Sequence, residues 1–177
     1  MRKTIISTAA VTVSALAIGA TSGASGDWVL PNKTTTPGVI NTQVTQANIN
    51  TTICKSGWTA TIRPGVSYTN KLKSDQLNST YAESAKNWGA DGSLYEEDHL
   101  ISLQLGGNPT DPKNLWPQPY SGNNARKKDV VETALKRLVC SGKMKLRDAQ
   151  KIISTNWVDA YNKYTTPADK SNSSNGD

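Results

Sequence analysis

The stretch Tyr95–Asp129 reads YEEDHLISLQLGGNPTDPKNLWPQPYSGNNARKKD and holds the only histidine of the 177-residue chain. His99 follows Glu96, Glu97 and Asp98; Asn114 comes fifteen positions later and Asn124 ten after that, just ahead of Arg126, Lys127 and Lys128. Residues 94–103 read as mostly extended, and Gly106-Gly107-Asn108-Pro109 breaks them. A brief second strand is expected at Asn114–Trp116, then a helix from about 122–124 to Cys140. Singly, each residue has an ordinary explanation: Asn114 suits a turn, and Asn123 or Asn124 suits a helix cap. Order and spacing carry more. A strand–strand–helix unit folded on itself brings the end of the first strand near the first turn of the helix. Asp98 and Asn124 (or Asn123) then share a cation, with His99 beside them.

Outward from this unit, the helix expected to end at Cys140 carries Val130, Val131, Ala134, Leu135, Leu138 and Val139 as one apolar stripe at helical period. Ser141-Gly142 stops it, and a last helix over about 146–163 packs back against it. On the N-terminal side, 25–38 reads as an irregular arm with Trp28-Val29-Leu30 as its apolar cluster. A short helix is expected near 43–50. Trp58–Arg63 alternates apolar and polar as a half-buried strand does, and Pro64-Gly65 ends it. Ser67 caps a helix through Leu77, and a second short helix covers 80–88. Residues 165–177 lack apolar periodicity and read as a disordered tail. The fold class is α+β: one small, mostly helical domain over 25–164, with the strand–strand–helix core at about 94–140.

Arg2 and Lys3 precede an apolar, small-residue run from Ile5 to Ala20, and Ser22-Gly23-Ala24 is a plausible cleavage site, with cleavage after Ala20 the alternative. Residues 1–24 therefore read as a signal peptide, which places the mature chain in the periplasm or the medium, without stable membrane insertion. Its removal leaves eighteen basic against fourteen acidic side chains, a net charge of +4. Eight of the basic residues fall between Arg126 and Arg147, the clustering a phosphate-binding face requires. Export also makes a Cys54–Cys140 disulfide the default for the two cysteines. With one histidine and two separated cysteines, no His/Cys zinc centre can form, so a metal would need oxygen ligands. No base-reading element is present, which implies weak sequence specificity.

The segment Asp98–Asp129 resembles an HNH endonuclease of the ββα-metal superfamily. The resemblance rests on Asp98-His99-Leu100-Ile101, Gly106-Gly107, Asp111–Asn114-Leu115, and Asn124 followed by Arg126-Lys127-Lys128-Asp129. The mature chain also resembles a group of small, secreted, mostly uncharacterised bacterial proteins at Thr36-Pro37-Gly38, Ile53-Cys54, Gly57-Trp58-Thr59 and Asn114-Leu115-Trp116-Pro117. Ser102 departs from the proline found in many members, and CxxC zinc ribbons are absent. The resemblance implies a metal-dependent nuclease acting on DNA and possibly RNA as a monomer. His99 would be the general base, and Asn114 would hold the turn and orient it. Asp98 and Asn124 would bind Mg²⁺ or Mn²⁺, and Arg126, Lys127 and Lys128 would meet phosphates. Glu96 reads as a surface residue and Glu97 as a supporting acid. The competing expectation is an exported nucleic-acid or polyanion-binding module without catalysis.

Overall fold

The computed structural model describes residues 29–173. The expected signal peptide over 1–24 and Trp28 lie outside them. The fold is a small α+β domain, mostly helical, with one two-stranded sheet. Helices α1 (Trp58–Ile62), α2 (Val66–Leu77) and α3 (Ala82–Trp88) precede strand β1 (Tyr95–His99); strand β2 (Leu115–Pro119) leads into α4 (Asn124–Cys140), α5 (Leu146–Tyr164) and α6 (Pro167–Ser173).

β1 and β2 pair antiparallel, with Tyr95 opposite Pro119, Asp98 opposite Trp116 and His99 opposite Leu115. Two prolines in a five-residue strand would normally argue against it. Pro117 and Pro119 share a two-residue phase with Leu115, and the Leu115 carbonyl points away from β1, where Gln76 Nε2 donates to it at 2.9 Å. Prolines in that phase therefore cost the ladder no hydrogen bond. The side chains on β1 alternate as well: Asp98 turns toward α4, whereas Glu97 and His99 belong to the opposite phase.

The main core lies between α4 and α5, where Val131, Leu135, Val139, Ala149, Ile153 and Trp157 are fully buried, with Ile53, Ile101 and Leu105 packed against them. The expected stripe on α4 is the buried one, apart from half-buried Leu138. Gly142, with φ of +73°, turns the chain back after α4. Cys54 and Cys140 form a disulfide across 86 positions, tying the N-terminal segment to the end of α4. Replacing both by serine is expected to lower stability by about 2–4 kcal/mol, because the unfolded chain regains the entropy of a long loop. Urea denaturation reads this directly; an unchanged midpoint would mean the bridge contributes nothing.

Three expectations need correction. Trp58–Arg63 is helix α1, not a strand. Gly57 opens it in a left-handed conformation at φ 76°, no third strand among the described residues is available to pair with it, and Trp58 packs on the main core. Six alternating residues are too few to separate one helical turn from a strand. Second, α2 begins two residues earlier than a Ser67 cap requires, with Gly65 as its cap. Third, the tail over 165–177 is not wholly irregular. α6 forms because Thr166-Pro167-Ala168-Asp169 is a capping pattern: Thr166 N donates to Asp169 Oδ2 at 2.7 Å, Asp169 N donates to Thr166 Oγ1 at 3.2 Å, and Pro167 occupies the first turn. Asp169 also pairs with Arg137 on α4, and Lys170 lies 4.6 Å from the Tyr161 ring centroid. The expected short helix near 43–50 is a 3-10 turn, Gln46–Thr51.

Candidate active site

The chain between the two strands is held by Asn114, whose side chain is fully buried. Its Nδ2 donates to Ile101 O at 3.0 Å and Asn108 O at 2.9 Å, and its Oδ1 accepts from Ile101 N at 3.0 Å and Val39 N at 3.3 Å. All four bonds go to backbone, so Asn114 fixes a loop and touches no reacting group. The loop closes tightly: a Cβ on Gly107 would lie 1.6 Å from Ile101 O, and Gly106 sits at φ +71°. Two residues beyond the Gly pair, the Pro109 carbonyl meets His99 Nε2 at 2.9 Å. A carbonyl only accepts, so Nε2 carries the hydrogen and Nδ1 keeps the lone pair. Asn114 thus bears on His99 indirectly, by fixing the loop that presents this carbonyl.

His99 is buried, and that desolvation, with a smaller contribution from the Lys128 charge, lowers its pKa to about 4 against the opposing Pro109 hydrogen bond. The ring is therefore neutral throughout the physiological range. It lines a cleft of about 260 Å³ between β1 and the α1–α2 corner.

Asp98 faces the other way, toward α4. Lys128 Nζ lies 2.7 Å from Asp98 Oδ2 and 2.6 Å from Glu132 Oε1, and it donates to His99 O at 2.7 Å. Ser102 Oγ completes the set by donating to Glu132 Oε2 at 2.6 Å. A proline in place of Ser102 would leave Glu132 Oε2 without this hydroxyl. Burial alone would push the Lys128 ammonium down. The Asp98 and Glu132 charges reverse this and hold it above the ordinary lysine range. The expectation that Lys128 contacts substrate phosphates is therefore wrong, since its side chain is 1% exposed and points inward. Arg126 is exposed and Lys127 half-buried, with Lys127 Nζ donating to Gly122 O at 2.9 Å. Those two remain at the surface, as expected.

Asn124 lies one helical turn before Lys128, on the same face of α4. Its Oδ1 accepts from Val29 N at 2.8 Å and its Nδ2 donates to Ser121 O at 2.6 Å. It therefore fastens the N-terminal arm to the start of the helix. Asn123 sits in the preceding 3-10 turn.

Asp98 and Asn124 are the oxygen donors the sequence assigns to a divalent cation. A carboxylate and an amide oxygen suit a hard ion that keeps several waters. Lys128 takes one Asp98 oxygen, and the Asn124 amide oxygen accepts from Val29 N, so both side chains already have protein partners. Among the described residues, no three His, Cys, Asp or Glu side chains gather into a metal cage. The donor types, one carboxylate and one amide oxygen, are those a hydrated hard ion takes.

Glu96 and Glu97 differ from their expected roles. Glu96 is half-buried rather than at the surface, and desolvation followed by the Asp98 charge raises its pKa to about 7. Both Glu97 carboxylate oxygens are buried without a hydrogen-bond partner. Desolvation first, then Asp98, raise this pKa to about 8, while Lys73 opposes them. A folded pKa above the unfolded value near 4.5 means stability from this group is complete below that value and is lost as pH rises toward 8. Glu97→Gln is thus expected to match the parent near pH 5 and to exceed it by about 2–4 kcal/mol at pH 9, in chelator. Urea titrations at the two pH values decide it; a difference independent of pH would mean Glu97 is already ionised in the folded protein.

Arg63, Lys73 and Tyr120 also line the His99 cleft and were not anticipated. Nothing in their local sequence marks them, because α1 and α2 bring Arg63 and Lys73 there from more than twenty residues away. Compared with family models, curated proteins and solved structures, the chain finds no match. No helix among the described residues is long and apolar enough to cross a membrane.

Proposed function

We propose that the protein is an exported, metal-dependent endonuclease of the HNH kind, hydrolysing phosphodiester bonds of DNA, and of RNA, with little sequence specificity. The observation that carries this reading is His99: a neutral imidazole whose Nε2 is consumed by Pro109, leaving Nδ1 as the only proton acceptor of the ring at a cleft. That is the state a general base needs. His99 takes a proton from water at Nδ1, Pro109 fixes the ring, and Asn114 fixes the loop that carries Pro109. Asp98 and Asn124 would hold a hydrated Mg²⁺ or Mn²⁺; because Asp98 leaves β1 on the face opposite His99, its Lewis-acid charge would reach the phosphate from the α4 side. Arg126 and Lys127 meet flanking phosphates at the start of α4. The disulfide fits an oxidising compartment, periplasm or medium, and the enzyme acts as a monomer.

One observation favours a second reading, an exported polyanion-binding module without catalysis. Lys128 engages Asp98 and the Val29 amide engages Asn124, so both cation donors have protein partners. Incubating the purified protein with plasmid DNA and with RNA, in Mg²⁺, Mn²⁺ or chelator, separates the two. Cleavage that chelator stops supports the nuclease. Binding with no cleavage in either metal supports the module.

A further inference from the structure

The run of basic residues at the start of α4 does not reach the cleft that holds the base: Arg126 and Lys127 are not among the residues lining it. The cations that do line it come from the other side of the sheet. Arg63 follows α1 directly, and Pro64 behind it keeps its backbone extended at φ −64° and ψ 129°. Its side chain is exposed and forms no ion pair with the described residues, yet its charge acts on both Glu96 and the His99 ring. Lys73 Nζ is pinned by a 2.8 Å bond to Tyr95 O, which leaves two of its three hydrogens for a ligand. The cleft's own carboxylates, Glu96 and Glu97, oppose a bare anion; Arg63 offsets the first and Lys73 the second.

Water activated at His99 must attack a phosphorus lying within this cleft. Resting on the nuclease reading, we propose that Arg63 and Lys73 grip the reacting phosphate of the nucleic-acid backbone, so that substrate lies across the α1–α2 corner with α4 holding only its flank. A guanidinium presents two parallel N–H groups to the non-bridging oxygens, and a lysine ammonium adds a point charge.

The test uses the full mature chain carrying His99→Ala, so that substrate survives, and a fluorescein-labelled DNA oligonucleotide followed by anisotropy across a salt series. Adding Arg63→Ala is expected to weaken binding about fivefold to tenfold and to reduce the slope of log K against log salt by about one, as the loss of one phosphate contact does. Lys73→Ala should act in the same direction. Lys71→Ala, which removes an exposed charge from the same helix outside the cleft, should change little. Affinity and slope that stay at the His99→Ala value in both Arg63→Ala and Lys73→Ala overturn the grip and leave the nuclease reading standing. A parent protein that neither binds nor cleaves overturns both. In the cleaving enzyme Arg63→Ala should raise KM more than it lowers kcat; thermal melts of each variant establish that it is folded.

Discussion

His99→Ala is expected to lower metal-dependent phosphodiester cleavage by about 10²–10⁴-fold, the contribution of a positioned general base. Substrate binding should persist, because the residues proposed to hold phosphate are others. The pH profile sharpens the test. A base works in its neutral form, and burial keeps His99 neutral down to about pH 4. The acid limb of the cleavage rate should therefore fall well below the value near 6.5 of a solvated imidazole. Stability follows the opposite partner: between about 6.5 and 4 the unfolded chain binds a proton that the folded protein does not, so the parent loses stability as pH falls through that window. His99→Ala should lose less there. Cleavage at the parent rate after the substitution would remove His99 from the mechanism, whatever the metal.

How much of this was legible depended on whether a signal was local. The Asp-His pair, the two glycines and the spaced asparagines lie in one unit of 35 residues, and their order was enough for strand, turn, strand and helix. The α4 and α5 stripes were readable for the same reason, since 3.6-residue periodicity sustained over four turns excludes a strand. Asn114 was read as holding a turn, and its four backbone bonds do so. Lys128 was missed because the Arg-Lys-Lys run looks like a solvated face. The signal was present: Lys128, Val131 and Leu135 stand at i, i+3 and i+7, which puts the lysine on the buried stripe, with Glu132 one turn further on. The partner of Asn124 was not legible by any local rule, as Val29 is 95 positions away. Arg63 and Lys73 fall in the same class: only the packing of α2 on the sheet brings them to His99.

Lys128→Met is expected to destabilise the protein by about 3–5 kcal/mol, the cost of leaving buried charge without its partner. Methionine fills much of the same volume, so packing contributes little to the loss. What remains is two carboxylates: Asp98, previously 2.7 Å from the ammonium, and Glu132, previously 2.6 Å from it. His99 O loses its donor as well. For a domain of this size the melting temperature should fall by roughly 6–20 °C. Adding Glu132→Gln should restore part of the loss, and the size of that recovery measures the coupling within the pair. The same variant interrogates the cation. With the ammonium gone, Asp98 is released, and Mg²⁺ should raise the melting temperature of Lys128→Met more than that of the parent. Equal shifts would mean that Asp98 does not take the ion. A loss below about 1 kcal/mol, the range of a surface ion pair, would put Lys128 back on the solvent side of α4, where the run of basic residues first suggested it.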